Sequence, residues 1–337
     1  MRSRQPNQPL VARPGEFAHR PNPKQMKLDV IIPTYNRSYL LKRTLDSLLA
    51  ARLPEGLSVR VTAVDNNSKD DTRQVVEDYI KRFGDRFNYV FEGKQGRSRA
   101  LNAGIAATCG DLVGMIDDDE EIDEHWYACI HSAFSRGSID FISGQCKPRW
   151  GAEQPAWLPK AYPAVIGWID CGSEVRTFGE GYDGVLMGGN SVIARPMLQR
   201  VGYYSVALGR NGNRLLSVED EDMTERLLAA GGRGLYLPEM VIYHYIPPER
   251  LTKSYHRRWC FWRAVSLGVK DRERKEPVAY LLGVPRYVYG SAARGLVRMG
   301  RAMLGQVKDP SQRFSDELAL WDLAGFFYGK HFYRPAR

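Results

Sequence analysis

Asp111-Leu112-Val113-Gly114-Met115-Ile116-Asp117-Asp118-Asp119-Glu120-Glu121-Ile122-Asp123 holds the clue to how this chain folds. Leu112 to Ile116 is a short apolar run of the kind that forms a strand buried on both faces, and it ends in five consecutive acids, Asp117 to Glu121. Five carboxylates at one strand terminus repel one another, so a fold that gathers them there calls for a divalent cation. Along an extended backbone Asp117 and Asp119 project to the same side, one ion apart. A solvated acidic turn is the bland reading of the same residues. The flanking sequence decides between the two.

Upstream, apolar runs and helical periodicities alternate. Leu28 to Pro33 reads as a buried strand, Thr34 to Arg37 as a loop, and Leu40, Leu41, Leu45, Leu48 and Leu49 as the apolar stripe of a helix that Ser38 can cap. Val59 to Val64 forms a second strand ending in Asp65-Asn66-Asn67-Ser68, followed by a helix carrying Val75, Val76, Tyr79, Ile80 and Phe83. Phe87 to Phe91 is a third strand, 97–108 a third helix, and Leu112 to Ile116 the fourth strand. This alternation implies right-handed crossovers and a mostly parallel sheet, with ligands beyond the carboxyl ends of its strands. Thr34 to Arg37, Asp65 to Ser68 and Asp117 to Glu121 all fall at such ends. Each alone also reads as ordinary turn chemistry; together they point to one site. Lys94 to Arg99 is basic without a glycine-rich phosphate fingerprint, and faces either solvent or a diphosphate.

The chain of 337 residues is 43% hydrophobic, enough for one large core or two modest ones. Its five cysteines are scattered, which suits reduced thiols in the core. No run reaches the roughly twenty apolar residues that span a bilayer, and no signal-peptide core opens the chain, so a cytoplasmic protein is expected. Residues 1–27 hold five prolines and six Lys or Arg with few apolar groups, the composition of a disordered arm. Charge is uneven: 249–337 contains 18 Lys and Arg against 8 Asp and Glu, a net +10, so the remainder carries −1 of the overall +9. That segment suits an anionic partner such as a membrane surface, a lipid diphosphate or nucleic acid.

In order along the chain, Val30 to Arg37, Val64 to Ser68 with Asp71-Thr72, Arg99-Ala100-Leu101-Asn102-Ala103-Gly104-Ile105, Gly110-Asp111 before Ile116 to Asp119, Gly188-Gly189-Asn190 and Val218 to Asp222 resemble the inverting glycosyltransferases of family two, over roughly 28–270. The resemblance implies a GT-A fold, that is, an α/β Rossmann-like mostly parallel sheet flanked by helices. It implies a catalytic domain at 28–250, with a nucleotide-binding half at 28–125 and an acceptor-binding half at 139–250, and a basic amphipathic helical extension at 251–337. It places Pro33, Thr34, Tyr35, Arg37, Asp65 and Asn102 on the nucleotide, with Asp118 in support, and Gly189 and Asn190 under the donor sugar. Asp117 and Asp119 become the Asp-x-Asp pair that sets Mg2+ or Mn2+ on the diphosphate, and Asp220 the general base. Relatives usually carry Asp after the pair, where this chain has Glu120. His244, on a strand, is either a core side chain or a contact to metal or diphosphate.

The implied reaction moves a sugar from a nucleotide-sugar donor, a UDP-sugar by expectation, to a hydroxyl of a glycan or lipid-linked acceptor. Trp150, Trp157 and Trp168 lie in a Trp-, Pro- and Gly-rich stretch suited either to stacking on sugar or to loop packing. Arg250, Lys253, Arg257 and Arg258 form either a diphosphate clamp or a solvated helix face. Residues 277–304 read as a basic amphipathic helix pair for peripheral contact with a membrane, or for packing on the catalytic domain. A rival enzyme is a sugar-phosphate nucleotidyltransferase, whose glycine-rich start is missing here. A non-enzymatic rival binds anionic surfaces or nucleic acid through the basic segment, although nucleic acid is not an expected partner of a family-two enzyme.

Overall fold

The computed structural model describes residues 25–160, 163–306 and 308–335. The chain runs β1 (Met26–Thr34), α1 (Ser38–Ala50), β2 (Leu57–Asp65), α2 (Thr72–Phe83), β3 (Phe87–Phe91), α3 (Arg97–Ala106) and β4 (Leu112–Met115). Then follow β5 (Glu120–Ile122), α4 (Trp126–Ser135), β6 (Phe141–Trp150), β7 (Arg176–Thr177), β8 (Ser191–Ala194), α5 (Arg195–Val201), α6 (Glu219–Ala229) and β9 (Gly234–Ile246). Helix α7 (Lys253–Glu273), the hairpin β10 (Tyr280–Leu281) and β11 (Val284–Pro285), α8 (Arg286–Met303) and α9 (Pro310–His331) complete it.

The alternation of the first hundred residues has the expected outcome: β1, β2, β3 and β4 pair in parallel. The full order is β3-β2-β1-β4-β8-β6-β9-β5, and β8 enters antiparallel between β4 and β6, so the second half is mixed. Both faces are covered. In β1, Leu28, Val30 and Ile32 pack with Leu41, Leu45 and Leu48 of α1 on one side, while Ile31 meets Ala100, Leu101 and Ile105 of α3 on the other. Each fully buried leucine of α1 contributes about 1.5–3 kcal/mol through the area it removes from water.

The loops that end β1 and β2 are tied to each other. Asn36 and Asn67 take left-handed backbone conformations (φ 51° and 68°) that asparagine tolerates. Asn36 N–H donates to Ser68 Oγ (3.0 Å), and Lys69 N–H donates to Asn36 Oδ1 (2.6 Å). Ser38 does not cap α1 as expected: Asp70 does, accepting the Ser38 N–H at 2.9 Å.

Two further expectations change, and a third, a boundary, falls within one cavity. The arm expected over 1–27 lies outside the described residues up to 24, but Met26 is fully buried in β1. The thiols are all free, yet Cys109 is exposed rather than in the core. The expected division at residue 250 crosses the cleft, because Arg250 on one side and Trp259 and Arg263 of α7 on the other line one cavity.

Candidate functional site

Beyond the carboxyl ends of β1 and β4 opens a cavity of about 820 Å³, a size suited to a nucleotide-sized ligand. Pro33, Thr34, Tyr35, Arg37, the acids Asp117 to Glu120, Gly189, Asp220 and His244 all line it. Residues more than two hundred positions apart, Pro33 and His244, therefore share one space.

The acid run is not an extended segment with two carboxylates on one side. Asp118 and Asp119 form a turn, after which Glu120 to Ile122 pairs antiparallel with β9, setting Glu120 opposite His244. Tyr245 N–H donates to Asp119 O at 2.8 Å, which fixes the turn against that strand. Asp117 and Asp119 consequently bind different partners. Asp117 Oδ1 accepts Arg97 Nη2 at 2.8 Å, whereas Asp119 Oδ2 accepts Arg37 Nη1 and Arg250 Nη2, both at 2.9 Å.

Groups of the protein itself match part of the cluster's charge. Asp118 is held by Thr34 Oγ1 (2.9 Å) and Arg37 Nη1 (3.0 Å), and Glu121 by Arg43 and Arg149 (2.5 Å each). Burial, and then the charges of Asp117 and Asp119, raise the Glu120 carboxyl well above the usual range. Burial likewise pushes Asp118 up to about 6, although Arg37 opposes it. Asp119 goes the other way: burial would raise it, but His244, Arg250 and Arg37 around it hold it well below the usual range.

His244 is oriented by Ile166 O, 3.0 Å from its Nδ1, which turns Nε2 toward Asp119 and Arg250. That nitrogen lies 3.5 Å from Asp119 Oδ1 and accepts Arg250 Nη1 at 2.8 Å. A hard carboxylate oxygen and an imidazole nitrogen at this separation are the donor types of a divalent-ion site, and in this structure Arg250 contacts both residues. Asp117 does not join them: among the described residues no group of three His, Cys, Asp or Glu surrounds a common point.

Asp220 lies in the first turn of α6 with 28% of its side chain open to the cavity. Its Oδ1 has no hydrogen-bond partner, and Arg97 Nη1 lies 3.6 Å away. Burial pushes this carboxyl up to about 7; Arg97 lowers it, and Glu219 and Asp117 raise it further. The neighbouring Glu219 is 3% exposed and bound to Arg97 at 3.2 Å. Arg97, at the start of α3, thus spans the acid turn and α6. The glycine pair completes the floor: a Cβ on Gly188 would overlap the Asp220 carboxylate, and one on Gly189 would overlap Glu120.

Three residues expected on the donor do not line the cavity. Asp65 is buried with both oxygens taken, by Ser68 N–H (2.7 Å) and Tyr89 O–H (2.7 Å), and the adjacent Asn66 lines the cavity instead. Asn102 clamps the backbone of Tyr204 through both ends of its amide, at 2.9 Å each. Asn190 is fully buried, donating to Gln145 O and Met240 O and accepting Trp126 Nε1. Each is engaged with the protein itself rather than turned to a ligand in this arrangement. Of the three tryptophans only Trp168 lines the cavity; Trp157 packs edge-on against His256 and Phe314. Of the four basic residues, only Arg250 reaches the site: Lys253 sits over Trp157, Arg257 pairs with Glu317, and Arg258 donates to Asn213 O.

Sequence reasoning gave Arg97 no specific role and overlooked Arg263, which also lines the cavity and holds Glu221 at 2.7 Å. Arg97 had a findable signal, since it opens the helix that comes after the carboxyl end of β3. Arg263 had none, because only tertiary packing brings α7 there.

Comparison with known proteins bears on the family and the fold. The family description Glycosyl transferase family 2 matches residues 29–203. The chain is 25% identical over 233 residues to the succinoglycan biosynthesis protein ExoM of Rhizobium meliloti, covering 68% of this chain and 70% of that protein. It is 25% identical over 252 residues to the glucosyl-dolichyl phosphate glucuronosyltransferase of Haloferax volcanii, covering 73% and 78%. Among solved structures, the mannosyltransferase PcManGT of Pyrobaculum calidifontis, in complex with GDP-Man and Mn2+, aligns with a TM-score of 0.58 at 18% identity over 95% of this chain and 91% of that one. The fold is that of the GT-A glycosyltransferases.

Proposed function

Because this chain belongs to glycosyl transferase family 2 and is a glycosyltransferase, we propose that it works by single displacement with inversion, using a nucleoside diphosphate sugar, a UDP-sugar by preference, and a divalent cation. The acceptor is a hydroxyl of a glycan or lipid-linked glycan. The observation that carries this reading is the Asp220 carboxylate, 28% of whose side chain is open in the cavity that also holds the facing pair Asp119 and His244.

In this account Asp220 takes the proton of the acceptor hydroxyl as its oxygen bonds to the anomeric carbon, and the bond from that carbon to the diphosphate breaks. Asp119 and His244 hold Mg2+ or Mn2+. When bound, the ion stabilises negative charge on the departing diphosphate. Arg37 and Arg250 supply further positive charge to the same region, and Gly188 and Gly189 let the donor approach the backbone closely. Thr34, Tyr35 and Asn66 form the nucleotide side of the cleft. Arg97 keeps Asp117 and Glu219 neutralised beside the base. The relative named for glucosyl-dolichyl phosphate supports a lipid-linked acceptor.

The reaction is tested with a panel of UDP- and GDP-sugars in the presence of Mn2+, following nucleoside diphosphate release and the anomeric configuration of the product. Product of opposite configuration to the donor is expected. Retention of configuration overturns the displacement, and pyrophosphate formed from a nucleoside triphosphate and a sugar phosphate would favour nucleotidyl transfer instead.

A further inference from the structure

The outer face of α8 is built differently from any surface the cleft requires. On its inner side α8 lies against α9, with Ala292 and Gly295 buried and a Cβ on Gly295 reaching within 2.6 Å of Asp316 O. The outer side leaves Leu296 (57%), Val297 (56%), Met303 (86%) and, at the helix end, Leu304 (76%) open to solvent. Leu296 and Met303, Val297 and Leu304, and Arg294 and Arg301 are each seven positions apart. Seven residues return an α-helix to within about 20° of the same direction, so these pairs form three parallel rows, two apolar and one basic. The adjoining hairpin and first turn add the exposed Leu281, Leu282 and Tyr287.

The basic row has no internal partner. Arg298 is paired with Asp316 on the inner side. Arg294 donates only to Ser291 Oγ at 3.0 Å, and among the described residues Arg286, Arg294 and Arg301 carry no ion pair. The sequence has no acid from Pro277 to Lys308. Unpaired cations beside a strip of exposed aliphatic side chains match the boundary between anionic headgroups and acyl chains, the seat of helices that lie in a membrane surface. A two-fold contact between copies of this face would bring arginine rows together and is disfavoured by like charge. Among the described residues no helix is long and apolar enough to cross a membrane, so the contact is one of lying on the surface.

We propose that the outer face of α8 seats this protein on an anionic lipid bilayer. The inference stands apart from the transfer chemistry, since none of these residues lines the cavity. Full-length protein is floated with vesicles of phosphatidylcholine alone and of phosphatidylcholine mixed with phosphatidylglycerol. The wild type is expected to float with the mixed vesicles only. The Leu296→Glu/Val297→Glu variant is expected to stay behind, and Arg294→Gln to lower the bound fraction at limiting lipid through an about fivefold weaker partition. Hydrolysis of a nucleotide sugar in solution should be unchanged in both variants, which separates this surface from a failed reading of the cleft. Flotation of both variants equal to the wild type overturns the proposal. So does a dimer in sedimentation velocity that the double variant dissociates while no form floats, because the face would then join two copies.

Discussion

Glu219 and Asp220 are adjacent at the start of one helix, yet the fold gives them opposite surroundings. Glu219 is 3% exposed and hydrogen-bonded to Arg97 at 3.2 Å, whereas Asp220 keeps 28% of its side chain open and lies 3.6 Å from the same arginine. Sequence could place a base within this four-acid run only by resemblance, because nothing in the spacing separates the two. Burial favours the neutral form of Asp220 and pushes it up to about 7. A base must be ionised, so turnover at saturating donor should rise with pH and reach half its plateau near about 7. A profile already flat at about pH 5 would contradict the assignment. Asn102 and Asn190 show the converse limit of motif reading. Both stand in family-like strings, but an amide that grips a ligand and one that clamps a backbone look the same in sequence. Here Tyr204, Gln145, Met240 and Trp126 use their donors and acceptors. Gly110 beside Asp111 has a similarly internal reason: its N–H donates to Asp29 Oδ2 at 2.5 Å, and a Cβ would lie 2.8 Å from that oxygen.

At the scale of elements, the parallel strands β1 to β4 were legible because each shows its own apolar run and alternates with a periodic helix. The second half was not, for a physical reason: β8 is inserted between β4 and β6 by contacts that no local pattern encodes. Glu120 to Ile122 was hidden inside the acid run, since glutamate is a poor strand former and only pairing with β9 makes it one. That short strand is what sets His244 beside Asp119. Its partner β9 also carries a register shift against β6 between Gly144 and Gln145. There a Cβ on Gly144 would overlap Met240 O. Gly144→Ala should therefore destabilise the fold by about 1–3 kcal/mol, read as a lower midpoint in urea with an unchanged slope. An unchanged midpoint would show that the bulge relaxes freely.

Over the whole molecule, charge is segregated by role. The acids of the β4–β5 turn and of the first turn of α6 are matched by arginines drawn from distant elements, Arg37 and Arg97 from the first half and Arg250 and Arg263 from the carboxyl-terminal part. On α8, Arg286, Arg294 and Arg301 carry no ion pair among the described residues and lie away from the cleft. The +10 of the last segment was visible in the sequence, but its division between cleft and outer surface depends on how α7 and α9 pack. The central claim is that one cavity holds both the site for a metal-bound diphosphate and the base that activates the acceptor. Asp220→Asn tests it most directly, with transfer rate and affinity for UDP and Mn2+ measured on the same preparation. A fall in transfer of about 10²–10⁴-fold with nucleotide affinity nearly unchanged is predicted. A variant that transfers sugar at the wild-type rate would contradict the account.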